Sequence, residues 1–137
     1  MKRDWDLIRK QLTDIEEEND LFADLPTEPQ WKDQDWAEYE DQLNRYRAIE
    51  GRVFGHFELL VNSGYIDGLQ LVRSADGLFS YGLHSPRLTM AGHDLLDTMR
   101  SVTIWEKIKA TAKTKGIELT FDAIKALGAL ALKSAFE

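Results

Sequence analysis

The sequence predicts a mainly helical fold with a small β-hairpin, arranged as a winged helix-turn-helix with a C-terminal helical extension. Three features of the 137-residue chain carry this expectation. The run His56-Phe-Glu-Leu-Leu-Val-Asn-Ser-Gly-Tyr-Ile-Asp-Gly68 reads as a helix that stops at a glycine and passes into an extended apolar segment. Asp76-Gly77 between two strand-like runs is a hairpin signal. Arg87-Leu-Thr-Met-Ala-Gly-His-Asp-Leu-Leu-Asp97 reads as a strand end whose threonine opens a new helix.

A first helix is expected from about Asp4 to Glu18, because Trp5, Ile8, Leu12 and Ile15 recur at three and four residues and form one apolar stripe. Asn19 to Gln30 breaks the pattern, with Pro26 and Pro29 as punctuation, and reads as a loop. Thr27-Glu-Pro-Gln30 resembles a capping box, so a second helix is expected from about Gln30 to Ile49, carrying Trp36, Tyr39, Leu43 and Tyr46. Glu50-Gly51 favours a break there, since glycine weakens a helix interior. Val53, Phe57 and Leu60 continue the same stripe, which leaves one long bent helix through Asn62 as the alternative.

Gly64 sits where a left-handed residue would close the third helix. Leu69 to Ser74 and Leu78 to Leu83 read as the strands of the wing. Thr89 should cap a helix from Met90 to about Arg100, with Leu95, Leu96 and Met99 facing inward. Thr103-Ile-Trp-Glu106 reads as a second capping box for a helix ending at Gly116, and Thr120 should cap the last helix, Phe121 to about Phe136. Two units are expected: 1–102, a winged-helix domain with an acidic insertion at about 19–48, and 103–137, the helical extension.

Bulk composition narrows the function classes. With 43% hydrophobic and 30% charged residues the chain can bury a core of its own. It has no cysteine, which excludes thiol catalysis, disulfides and cysteine-based zinc sites. Met1-Lys-Arg-Asp-Trp-Asp lacks the apolar run of a secretory signal, and the most apolar segment, Ala123 to Phe136, is too short to cross a bilayer, so a cytoplasmic protein without membrane association is expected. Net charge is −7, unevenly spread: residues 14–42 hold twelve acids against Lys32, a local −11, leaving +4 elsewhere.

In this order the elements resemble an uncharacterised family of short bacterial and phage proteins, domain of unknown function 2513. The matching residues are Met1-Lys-Arg-Asp-Trp-Asp-Leu-Ile-Arg9, His56-Phe-Glu-Leu-Leu with Gly64-Tyr-Ile, Arg87 to Asp97, Thr103-Ile-Trp-Glu-Lys and Leu119-Thr-Phe-Asp-Ala-Ile-Lys125. The resemblance implies a phage or prophage setting and carries no activity. The acidic stretch from about Leu25 to Tyr46 is longer than the corresponding linker of that family.

Winged helices are usually binding modules, most often for duplex DNA, which they meet with a recognition helix in the major groove and cations on phosphates. The candidates here are Arg45, Arg47, Arg52, His56 and Asn62 around the third helix, Arg73 on the wing and Arg87 at its base. The leading expectation is a DNA-binding transcriptional regulator of phage or prophage type. The set is small for a DNA reader, and solvated arginines on an acidic protein are the plain alternative.

The acidic segment supports a different function. Asp33, Asp35, Glu38, Glu40 and Asp41, interleaved with Trp31 and Trp36, could imitate nucleic acid and occupy a basic surface of a host nucleic-acid-handling protein, as a phage counter-defence, anti-CRISPR-like inhibitor would. Its plain alternative is the solvated face of a helix whose aromatics lie in the core.

The last helix is apolar nearly all round. Phe121, Ile124, Leu127, Gly128, Leu130 and Ala131 are therefore expected to form a homodimer contact, the alternative being burial within one subunit beside Trp105 and Ile108. No metal site is expected, because His56, His84 and His93 lack a ligand spacing. No cofactor and no catalysis are expected either: the chain has no phosphate-binding glycine loop, no serine elbow and no acid pair distinct from its 24 carboxylates.

Overall fold

The computed structural model describes residues 1–136, with side-chain surroundings through residue 134. Five helices and one antiparallel hairpin follow in the order α1 (Trp5–Glu16), α2 (Trp36–Asn62), β1 (Ile66–Arg73), β2 (Phe79–Leu88), α3 (Met90–Met99), α4 (Val102–Lys115) and α5 (Phe121–Phe136). The mainly helical class with a small hairpin is as expected.

Helix α1 starts where the Asp4 carboxylate accepts the Leu7 N–H at 3.1 Å. Its apolar stripe, Trp5, Ile8, Leu12 and Ile15, is wholly buried.

Helix α2 corrects the expected boundaries. It is one helix of 27 residues, about 40 Å long, without a break at Glu50-Gly51. Glu50 is buried at that point and Phe54, Phe57 and Leu60 bury the face that follows it, and this packing outweighs the ~1 kcal/mol cost of an interior glycine. The expected capping box at Thr27 does not form either. Gln34 instead folds residues 30–34 into a local turn, accepting the Lys32 N–H at 2.5 Å and donating to the Gln30 carbonyl at 2.9 Å. The helix begins only at Trp36, after Asp35, whose side chain makes no capping bond. No residue from Trp36 to Ile49 is buried, so the N-terminal half of α2 packs against little and stands out as an arm.

Gly64, at φ 80°, closes α2 in the left-handed conformation, and the Tyr65 N–H donates to the Leu60 carbonyl at 2.9 Å. The hairpin then pairs Ile66 with Leu88 and Arg73 with Phe79, so both strands extend further from the turn than expected and leave Ser74 and Leu78 to the turn. Its turn is the expected one: the Asp76 carboxylate accepts the Leu78 N–H at 3.0 Å and Gly77 has φ 84°. A bulge between Asp67 and Leu69 places exposed His84 and left-handed Ser85 on the longer strand.

Thr89 joins the two diagnostic runs. Its hydroxyl accepts the Gly92 N–H at 3.1 Å, capping α3, and donates to the Gly64 carbonyl at 2.5 Å. Helix α4 is capped two residues earlier than expected, by Ser101, whose hydroxyl accepts the Ile104 N–H at 3.3 Å; Thr103 is already helical. Gly116, at φ 66°, ends α4, and Thr120 caps α5 by accepting the Ala123 N–H at 3.0 Å.

The expected dimer contact on α5 is corrected by the packing of α5 within the chain. Ile124, Leu127, Gly128 and Ala131 are buried as α5 lies on α3 and α4, and the Phe121 ring meets Trp5 and Tyr65 at 4.9 and 4.5 Å. Of that set only Leu130, 59% exposed, faces outward. The boundary expected between 102 and 103 divides no core, since Trp5, Phe57, Leu95, Trp105 and Ile124 belong to one buried cluster. The Trp105 indole N–H donates to Asp6 at 2.8 Å, and that of Trp5 to the Leu119 carbonyl at 3.1 Å.

Candidate interaction surfaces on α2

The middle of α2 forms one wall of a basic cleft. Lys2, Arg47, Arg52 and Arg73 surround a floor made by Met1, Ala48 and Gly51, enclosing about 470 Å³. Three separate elements supply the cations: the segment before α1, the exposed side of α2 and the end of β1. Two residues allow the first to lie there. Gly55 has no side chain, and a Cβ at that point would collide with the Met1 thioether at 2.6 Å. His56 binds the segment from beneath, as its Nε2 accepts the Asp4 N–H at 2.8 Å. A second cleft continues past Lys2 and Arg52 to Arg3 and Lys109.

The cations differ in how strongly they are engaged. Arg52 is paired with Asp4, and Arg73 with Glu58 at 2.9 Å while lying over the Phe79 ring at 4.8 Å. The Glu58 carboxylate raises the Arg73 pKa through a hydrogen bond and direct attraction. Arg47 and Lys2 have no carboxylate within ion-pair distance among the described residues.

The remaining expected DNA contacts lie elsewhere. His56 is fully buried, with both ring nitrogens engaged, and is out of reach of any groove. Arg45 is exposed on the arm and paired with Asp41 at 2.9 Å. Asn62 is exposed at the far end of α2. Arg87 is paired with Asp67 at 2.7 Å across the hairpin. Lys2, Arg3 and Lys109 join the cationic face without having been marked by the sequence. The basic pair at the chain start was its one local signal, and only the docking of that segment on Gly55 and His56 gives it a position.

The arm carries the opposite charge. Asp33, Asp35, Glu38, Glu40 and Asp41 are all exposed. The aromatics among them do not enter the core: Trp36 is 63% exposed and Trp31 49%. They form a surface cluster with Tyr39, with ring centres 5.9 Å apart for Trp31 and Trp36, 5.5 Å for Trp31 and Tyr39, and 5.8 Å for Trp36 and Tyr39. At the root of the arm, Tyr46 is half-buried, and burial followed by its hydrogen bond with Glu50 pushes its phenol up to about 12. Glu50 also accepts the Phe79 N–H at 3.4 Å, tying the base of the arm to the hairpin.

Among the described residues no group of three or more metal-ligating side chains converges, and no helix is long and apolar enough to cross a membrane.

An uncharacterized protein of Haemophilus influenzae (strain ATCC 51907 / DSM 11121 / KW20 / Rd) is 31% identical over 125 residues, covering 91% of this chain and 90% of that protein. No solved structure matches. The profile of the family described as hypothetical protein (DUF2513) matches residues 2–118, from the segment before α1 to the residues just after α4. The chain belongs to the DUF2513 family.

Proposed function

We propose that this chain is a non-catalytic, winged-helix DNA-binding protein, a regulator of the phage or prophage type. In this reading the C-terminal half of α2 is the recognition helix and the β1–β2 hairpin is the wing. The observation that carries it is the basic cleft, where Lys2, Arg47, Arg52 and Arg73 gather beside the exposed face of α2 and the end of β1. Arg52 and Arg73 are in exposed ion pairs, which a phosphate can replace at little cost. Of the expected contacts, Arg47, Arg52 and Arg73 remain in the site; Lys2 joins them and His56 serves the fold.

Retardation of duplex DNA at about 50 mM salt tests the proposal, with affinity falling steeply as salt rises. Arg47→Ala should weaken binding to all sequences and reduce the salt slope by about 1. Absence of retardation at that salt concentration overturns it.

A second reading has its own support. The surface cluster of Trp31, Trp36 and Tyr39, set among five exposed carboxylates, has the composition of an interface anchor and makes the arm a contact element for a basic protein surface. A host nucleic-acid-handling protein bound in this way is the counter-defence version of that reading.

A further inference from the structure

We propose that the basic surface met by the arm is the cleft of a second copy of this chain, with two α2 helices packed antiparallel. The inference rests on the reading of the arm as a contact element, and the partner's arm would compete with DNA for the same cleft. The N-terminal half of α2 is an unpartnered helix face, and one end of it matches the other. Glu38 and Glu40 lie toward the arm tip, while Arg47 and Arg52 lie further along the same helix. Side by side and antiparallel, each acidic end meets the other copy's basic end; a parallel pair would set like charges together.

Shape agrees with charge. Ala37, Asp41, Asn44, Ala48 and Gly51 recur at alternating spacings of four and three, the repeat of a helix–helix seam, and none of them is buried. The small residues stand at the ends of this seam and allow close approach. A Cβ placed on Gly51 would meet nothing within 4 Å, so the cleft floor is open. A two-fold axis near Asn44 brings the Trp31–Trp36 cluster of each copy toward the other's cleft, where guanidinium groups can lie against indole faces. Both contacts are then equivalent and the assembly closes as a dimer rather than a filament.

Paired charge reversals test this. Wild-type protein should sediment as a dimer at micromolar concentration in low salt and dissociate as salt increases. Glu38→Lys/Glu40→Lys and, separately, Arg47→Glu should each raise the dimer dissociation constant by about tenfold or more. These side chains are exposed, and circular dichroism will show that both variants keep the fold. An equimolar mixture of the two should regain a dimer, because each reversed surface then faces its complement. Orientation is read by crosslinking in this cysteine-free chain: Ala37→Cys should form a disulfide with Gly51→Cys and not with itself. A wild-type monomer under these conditions, variants that remain dimeric, or a mixture that stays monomeric each overturns the proposal. The wild-type monomer would leave a foreign basic protein as the occupant of the arm. Because sedimentation requires no DNA, failure here is separable from failure of the DNA-binding reading.

Discussion

His56 Nε2 accepts the backbone N–H of Asp4 at 2.8 Å, while Nδ1 of the same ring lies 2.7 Å from the Arg52 carbonyl oxygen. A backbone amide can only donate, so Nε2 is the acceptor and the ring proton sits on Nδ1, donating to Arg52. One buried imidazole therefore fixes the capping residue of α1 against the middle of α2, 52 residues away in sequence. The position of Lys2 and Arg3 in the basic clefts follows from it.

Replacing His56 with alanine should leave the capping-residue amide without its partner and open a cavity between α1 and α2. The expected loss is about 3 kcal/mol, visible as a lower urea midpoint. An unchanged midpoint would show that the ring does not hold the two helices together. Duplex binding, if present, should weaken in the same variant even though His56 itself cannot reach a ligand.

Gly51→Ala should stabilise the chain by about 0.5–1 kcal/mol, because the residue is inside a continuous helix and the added methyl group meets nothing within 4 Å. Thermal unfolding of dilute protein checks this, with a rise of a few degrees expected. A turn at Glu50-Gly51 would give the opposite sign, so the measurement also tests the continuity of α2.

What was legible in the sequence was local. Gly64, Gly116, Thr89, Thr120 and the Asp76-Gly77 turn act through bonds within a few residues, and each is found where its chemistry places it. The local capping boxes at Thr27 and Thr103 do not form, and the other features that the sequence does not reveal depend on distant packing. Gly51 is a poor helix residue carried through by Phe54, Phe57 and Leu60, which the core holds in place. The apolar α5 looked like an intermolecular surface because its cover comes from α3, α4, Trp5 and Tyr65. Gly92 shows the same limit: a Cβ there would overlap the Tyr65 carbonyl oxygen, a contact between α3 and the start of the hairpin. The candidate site followed this pattern too, since Arg47 and Arg73 were visible as cations but their gathering with Lys2 requires the fold.

Stability should fall in acid, and three carboxylates set the sign. Around Asp4 burial opposes ionisation, but hydrogen bonds from the Leu7 N–H and Arg52 together with the Arg52 charge hold its carboxyl below the usual 3.8. Asp6 is likewise below 3.8, where burial is outweighed by Trp105 and Lys109. Glu16 is held below 4.5 chiefly by its hydrogen bonds with Arg100, at 2.6 and 2.8 Å. A folded-state pKa below the unfolded value means that the unfolded chain takes up protons first as pH falls. The stabilisation is thus fully present above the unfolded values and is lost as pH drops through the folded ones. Urea midpoints should be flat from pH 7 to about 5 and decline progressively below about 4.5. Glu16→Gln should lower the neutral-pH midpoint and make the acid decline shallower, because the proton uptake linked to that pair is gone. An acid decline as steep as that of wild type would assign the pH dependence to other carboxylates. These groups join α1 to α2, α3 and α4, so the same titration is expected to loosen the helix that carries Lys2 and Arg3 to the cleft.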